Sequence, residues 1–224
     1  TWQLQRLAWN EALIEAATVR PVAAPVAAPG PDAWPTLAID DWTYRRVALT
    51  GTFGEGEAHA WPVLSDPKGG PQGGSGYFIV APFTTADGWS VLVNRGFVPA
   101  ALKAPSSRPA SAVPREAVTI QAIVRPDDPP NFVTPAPNTA TNEWFYRHIG
   151  PKATFLRLPQ STTAPYSLAL VAAQTPPSGL PQAGESQVTF SNNHLGYALP
   201  RFGLAAALEV IVIVSLVRRR AKSS

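Results

Sequence analysis

The sequence predicts a mainly β (α+β) domain with an antiparallel, barrel-like sheet, flanked by membrane helices. Three observations favour the sheet. The 25 prolines and 16 glycines of the 224-residue chain separate about six to eight short apolar runs of strand length. The segment 84–88, TTADG, places an Asp-Gly pair between two of these runs, which is typical of a β-hairpin. Strands do not alternate with helices and no internal repeat is present, so neighbouring strands should be antiparallel and the sheet closed or nearly closed.

The predicted domain covers residues 44–190, and its strands combine alternating apolar side chains with flanking turn residues. One of the clearest alternates through Ile120, Ala122 and Val124. The strand predicted at 58–64 has a weaker pattern, because Pro62 interrupts it. The predicted strands cover 44–53, 58–64, 77–83, 89–98, 117–125, 144–149, 166–172 and 187–190.

Residues 1–20 are predicted to be helical, because their apolar residues recur at three- and four-residue spacing. Trp2 and Trp9 suit the interfacial belt of a bilayer, so we interpret the segment as the end of a first membrane helix or as a juxtamembrane helix. An amphipathic helix packed on the domain is the alternative. We expect the rest of the membrane helix, or a cleaved signal, to lie before Thr1. Residues 21–43 are predicted to be a proline-rich, extended connector.

The segment 195–217 is predicted to be a transmembrane helix. At the helical rise it would be about 34 Å long, enough for a hydrocarbon core of about 30 Å. The basic tail 218–224 follows directly, and such flanks stay on the cytoplasmic or matrix side of the membrane. The main domain should therefore lie on the outer face. A buried core helix is the alternative, but it would not account for the cluster of cations beyond it.

Composition narrows the classes of function. The chain has 18 basic and 15 acidic residues, and the tail holds four of the basic ones, so the rest is close to neutral. The high isoelectric point of the chain, about 9.4, thus results from the basic tail, which suits the surface of a membrane. Nucleic-acid binding is not expected. The 224 residues include no cysteine, so they can form no disulfide, no zinc–thiolate site and no thiol nucleophile.

Motifs for catalysis are scarce, so an enzyme is not predicted. The glycine-rich segment 69–76 lacks the lysine and hydroxyl residue that end a phosphate-binding loop, and it is interpreted as a flexible hairpin loop. The three histidines, His59, His148 and His194, are too far apart in sequence for metal-ligand spacing. An outer-face hydrolase is disfavoured because no nucleophile has a base at a recognisable spacing.

Four blocks of the sequence resemble the surfeit locus protein 1 family. They occur in the family's order and extend along the whole chain, which makes the combination more specific than any single block. The blocks are WQLQR at 2–6 with Trp9, YRRV at 44–47 leading to Gly51 and Phe53, VLVNRGFVP at 91–99, and NNHLGYA at 192–198.

The resemblance implies an assembly factor for cytochrome c oxidase. Family members have two membrane helices around a β-rich domain on the outer face of the bacterial or mitochondrial inner membrane. The expected partners are the catalytic subunit of the oxidase and membrane lipid, with the haem a synthesis machinery as a further candidate. Some bacterial members resemble haem a chaperones, which implies haem a as the cofactor here and His194 as its iron ligand. The alternative is a cofactor-free scaffold that binds and stabilises oxidase subunits during assembly.

The setting of His194 allows two interpretations. A neutral imidazole is a common axial ligand of haem iron, and the macrocycle rests best against apolar side chains such as Leu195 and Tyr197. The histidine would then lie at the outer end of the predicted span. Alternatively, it is an interfacial residue that caps the helix beside Asn192 and Asn193.

Two charged residues also have alternative roles. Glu209 lies inside the predicted span, where it pairs with another helix or is a protonated, tolerated acid. Arg95 ends a predicted strand, where it contacts a partner or a haem propionate, or else binds carbonyl groups of a loop.

Overall fold

Five strands of one sheet close into a barrel in the computed structural model, which describes residues 17–129, 132 and 135–185. The strands are β1 (Val26–Ala27), β2 (Arg46–Phe53), β3 (Ala58–Ala60), β4 (Val63–Leu64), β5 (Gly74–Thr85), β6 (Ser90–Pro99), β7 (Val118–Pro126), β8 (Glu143–Trp144) and β9 (Thr163–Leu170). The α-helices are α1 (Ile39–Trp42) and α2 (Ile149–Phe155). Short 3₁₀ helices cover Pro31–Thr36, Ala100–Leu102, Pro105–Ser107, Pro109–Ser111, Gln160–Thr162 and Ala172–Gln174.

The barrel is formed by β2, β7, β9, β6 and β5 in that order, and β5 pairs with β2 to close it. This confirms the predicted barrel-like sheet. The pairs within it are antiparallel except for β6 with β9, which run parallel. A parallel pair needs a long connection, and here the chain forms β7, β8 and α2 between the two strands.

Alternate side chains of the barrel strands fill its interior. On β7 these are Ile120, Ala122 and Val124, the residues whose spacing predicted the strand. Tyr166 and Phe83 are completely buried among them. Burying a large apolar side chain contributes about 1.5–3 kcal/mol, so this interior is the main source of the domain's stability. The whole interior cluster comprises Val47, Leu49, Phe83, Trp89, Val91, Val93, Ile120, Ala122, Val124, Ala164, Tyr166, Leu168, Leu170 and Ala183.

The predicted hairpin and hairpin loop are both present. β5 and β6 are antiparallel neighbours joined at the TTADG segment, where the amide of Thr85 donates to the carbonyl of Trp89 at 2.8 Å. The glycine-rich segment joins β4 to β5, which pair with each other. Its backbone is held in place and is not flexible as predicted, because the amide of Gly69 donates to the carboxylate of Glu185 and that of Gln72 to the side-chain oxygen of Gln182.

The predicted strand 144–149 is largely wrong. Only Glu143–Trp144 is a strand, and a helix begins at Ile149. The carboxylate of Asp127 accepts a hydrogen bond of 2.8 Å from the amide of Ile149, which satisfies one of the free amides of the first turn. Pro151 is tolerated in that turn because its missing amide would have had no helical partner.

The connector 21–43 is more regular than predicted. It contains β1, which pairs in parallel with β2, a 3₁₀ helix and α1. The side chains of Trp34 and Tyr166 both donate to the carbonyl of Pro29, at 2.9 and 2.7 Å. The ring of Trp34 also meets that of Trp89 edge-on, with centroids 5.8 Å apart. The connector is therefore docked on the barrel.

Removing the hydroxyl in Tyr166→Phe is expected to lower the free energy of unfolding by about 1 kcal/mol. The hydroxyl is buried, and burial raises its pKa, so it stays a donor to Pro29 at physiological pH. Trp34 would still satisfy the Pro29 carbonyl, which limits the loss. Urea denaturation followed by tryptophan fluorescence measures the change. An unchanged midpoint would show that this bond does not contribute to docking.

Several predicted segments lie outside the described residues. These are the strand 187–190, the transmembrane helix 195–217, the tail 218–224 and residues 1–16 of the amino-terminal helix. Across the part of the chain that the structure describes, no helix has the length and apolar character needed to cross a membrane.

Candidate functional site

A β-bulge in the middle of β6 positions Arg95. Ile79 of β5 pairs with Gly96 and the next residue, Val80, pairs with Asn94, so Arg95 has no residue opposite it. Asn94 stabilises this geometry, because its side-chain oxygen accepts a hydrogen bond of 2.9 Å from the amide of Gly96. Bulges redirect side chains and often occur beside functional sites.

The guanidinium of Arg95 is buried, with only 5% of the residue exposed. One of its nitrogens donates to the carbonyl of Ser111 at 2.8 Å, and its carbon lies 5.6 Å from the ring centre of Phe53. Burial lowers the pKa of Arg95 to about 10, although the nearby Glu57 opposes this shift. The hydrogen bond to Ser111 confirms the interpretation in which Arg95 binds carbonyl groups of a loop.

Glu57 joins His59 and Arg108 into one buried network with Arg95 nearby, here called the charge cluster. The Nε2 atom of His59 lies 2.7 Å from the Glu57 carboxylate, which also accepts a hydrogen bond from Arg108. Burial raises the pKa of Glu57, but the hydrogen bond with His59 and the charge of Arg108 outweigh this effect and lower the pKa below 4.5. Glu57 is therefore ionised at neutral pH and accepts both bonds.

The loop after β6 covers the charge cluster. Arg108 donates from Nε to the carbonyl of Leu102 at 3.0 Å, and from a terminal nitrogen to that of Lys103 at 3.3 Å. The loop between Ala100 and Ser111 has three short 3₁₀ helices and little apolar surface of its own to bury. Arg95 of the barrel binds the loop through the carbonyl of Ser111, and Arg108 of the loop binds Glu57, so these two contacts hold the loop in place.

Arg95 borders two cavities. The first, of about 280 Å³, lies between the turn 54–57 and the covering loop and is also lined by Arg108. The second, of about 420 Å³, lies at the barrel end and is lined by apolar side chains including Phe53 and Leu170. A guanidinium beside an apolar cavity can bind a carboxylate or phosphate, so this end of the barrel is the candidate ligand or partner site.

The sequence-predicted site residues are only partly within the described structure. His194, proposed as an iron ligand, and Glu209 lie outside the described residues. His59 lies in the charge cluster, whereas His148 pairs with Asp127 at 3.0 Å on another part of the domain. Among the described residues, no group of three or more histidine, cysteine or acidic side chains could hold a metal ion.

Sequence reasoning missed Glu57 and Arg108. Glu57 and His59 are two residues apart at the start of β3, a spacing that places side chains on the same face of a strand and could have suggested a pair. Arg108 lies in a proline-rich loop, where no pattern indicates a buried side chain.

Comparison with known proteins identifies the family. The family model described as SURF1 family matches residues 1–206. Surfeit locus protein 1 of Rattus norvegicus is 31% identical over 229 residues, which cover 98% of this chain and 71% of that protein. The human Surfeit locus protein 1 is 31% identical over 218 residues, covering 92% and 69%. A SURF1-like protein of Drosophila melanogaster is 33% identical over 232 residues, covering 97% and 73%. The chain belongs to the SURF1 family.

Proposed function

We propose that the protein is a membrane-anchored assembly factor for cytochrome c oxidase that binds haem a and assists its insertion into the catalytic subunit. Membership of the SURF1 family carries this proposal, because the family match includes all four sequence blocks, from WQLQR to NNHLGYA. The proposed location is the bacterial or mitochondrial inner membrane. There the segment 195–217 crosses the bilayer and the β-domain lies on the outer face.

His194 is the residue proposed to bind the haem iron. Its imidazole is a suitable axial ligand, and the sequence places it between a polar Asn-Asn pair and the apolar residues Leu195 and Tyr197. In this role the neutral ring would ligate iron through one nitrogen, while the apolar neighbours would shield the macrocycle from water. The bound haem supplies the redox-active iron that the oxidase later uses.

The full-length protein, purified in mild detergent from cells that synthesise haem a, tests the proposal by its absorption spectrum. We expect haem a to co-purify with the wild type and to be lost, by at least about tenfold, in His194→Ala. His148→Ala is the matched control, because this partly exposed histidine pairs with Asp127 and should not affect haem content.

The outcomes separate the two interpretations of the family role. A wild-type protein without haem a, or equal haem content in His194→Ala, would contradict the haem-binding role. If oxidase subunits then still co-purified from cells that lack haem a, the cofactor-free scaffold would be favoured instead.

A further inference from the structure

A separate cavity of about 200 Å³ lies on the outside of the barrel, between β5 and β6 and the segment that carries α2. Its apolar wall is formed by Phe78, Val80 and Leu92. Val80 and Leu92 also belong to the cluster that packs α2 and Trp144 on the barrel. The cavity is therefore lined in part by side chains of a packed hydrophobic cluster.

Three cations line the same cavity: Arg125, Arg147 and Lys152. Lys152 is 2% exposed and Arg125 is 7% exposed, whereas the side chain of Arg147 is about half exposed. Lys152 donates to the carbonyl of Tyr146, and its nitrogen lies 5.2 Å from the ring centre of Trp144. Two buried positive charges thus share a cavity with an apolar wall.

The acidic groups around this cavity already have partners. Glu185 lines it, but its carboxylate accepts hydrogen bonds from the amides of Lys68 and Gly69 and from the side chain of Gln182. Asp127 pairs with His148 and with the amide that begins α2. Asp128 lies 3.2 Å from Arg147 and is more than half exposed.

Burial disfavours the charged form of both cations. Burial lowers the pKa of Lys152 to about 8 and that of Arg125 to about 10, and the nearby acids only partly oppose these shifts. Both groups remain charged at pH 7. A bound anion would offset part of the cost of burying them, because an opposite charge favours the charged form.

We propose that this cavity binds a small organic anion, with a carboxylate directed to Lys152 and Arg125 and an apolar ring or short hydrocarbon chain against Phe78, Val80 and Leu92. The volume suits such a ligand, since an apolar cavity of about 150 Å³ accommodates benzene. Drug-sized ligands occupy larger pockets, of about 300–1,000 Å³. The half-exposed Arg147 would attract the anion at the entrance.

The probe for this proposal is 4-fluorobenzoate, titrated into the full-length protein in neutral-lipid nanodiscs and followed by ¹⁹F NMR. We expect saturable binding that weakens at least about tenfold in Lys152→Met, because a charge-assisted hydrogen bond is lost. Lys68→Met is the matched control, since that side chain is exposed and pairs with Asp66 at the surface. The neutral analogue 4-fluorobenzyl alcohol should bind at least about tenfold more weakly than the acid.

Arg147→Gln keeps the test decisive if Lys152→Met does not fold. Its side chain is half exposed, so the variant should fold normally and bind the probe about threefold more weakly. In the wild type, the pKa of Lys152, followed by NMR of its terminal methylene, should rise when the probe binds. The proposal is overturned by no saturable binding up to about 5 mM, by equal binding of the alcohol, or by unchanged affinity in the variants that fold.

Discussion

The substitution Gly96→Ala is expected to lower the free energy of unfolding by about 3–5 kcal/mol. Gly96 has a φ of 131°, where a side chain adds about 1–2 kcal/mol of backbone strain. A β-carbon there would lie 2.3 Å from the carbonyl oxygen of Gln182, so the neighbouring chain would have to move away. Overpacking of this kind costs about 1–3 kcal/mol. The two hydrogen bonds of 2.8 Å between Phe97 and Gln182 would be lost or weakened.

Gly88→Ala is the matched control for backbone strain alone. Gly88 has a φ of 85° in the hairpin turn, but no heavy atom lies within 4 Å of the position of an added β-carbon. We expect it to cost about 1–2 kcal/mol. Chemical denaturation of both variants in mild detergent gives the free energies, and hydrogen exchange at the Phe97 and Gln182 amides shows where the change occurs. Equal destabilisation of the two variants would contradict the proposed role of close packing at Gly96.

The barrel was predictable because its strands bury one face and carry a local pattern. Ile120, Ala122 and Val124 point inward in succession, so alternation identified β7 without knowledge of its partners. The Asp-Gly pair marked the turn between β5 and β6, because a glycine is needed where φ is positive. These signals depend on residues close together in the chain.

The features that sequence reasoning missed depend on distant residues. The helix α2 begins where Asp127 binds the amide of Ile149, and these residues are 22 positions apart. The connector is ordered because Tyr166 reaches Pro29, across 137 positions. Secondary-structure propensity depends on neighbouring residues and gives no information about such distant contacts. An extended connector and a strand at 144–149 were therefore predicted instead. The role of His194 remains a prediction, since it lies outside the described residues.

The candidate site also combines features that neighbouring residues indicate with features that depend on distant residues. Arg95 could be singled out because it lies beside a glycine in a predicted strand, although it lies within β6 and does not end it, and its burial depends on a loop that returns to cover it. Arg108 of that loop is 51 positions from Glu57, the carboxylate that compensates its charge. The spacing of charged residues along the chain gives no indication of such a pair. Buried ion networks are therefore harder to predict than strands.

The substitution Glu57→Gln is expected to lower the free energy of unfolding by about 3 kcal/mol at pH 7. It preserves the shape of the side chain but removes the carboxylate of the charge cluster, whose other members are His59, Arg108 and the nearby Arg95. Arg108 is only 6% exposed and Arg95 only 5%, so both would stay buried without that opposite charge. Removing one partner of a buried ion pair costs about 3–5 kcal/mol, and the retained amide oxygen of glutamine limits the loss to the lower end. Asp66→Asn, in an exposed pair with Lys68, should cost less than about 1 kcal/mol.

The pH dependence distinguishes a charge effect from a packing effect. The pKa of Glu57 in the folded protein lies below its ordinary value of 4.5, so its contribution to stability is fully present above that value. As the pH falls through the lower folded pKa, the carboxylate becomes protonated and the contribution is lost. The stability difference between wild type and Glu57→Gln should therefore be constant above about pH 5 and shrink at lower pH. A difference that stays constant down to pH 3 would mean that the variant acts through packing. The loop would then be held by packing and by the hydrogen bond from Arg95 to the Ser111 carbonyl, and not by the charge of Glu57.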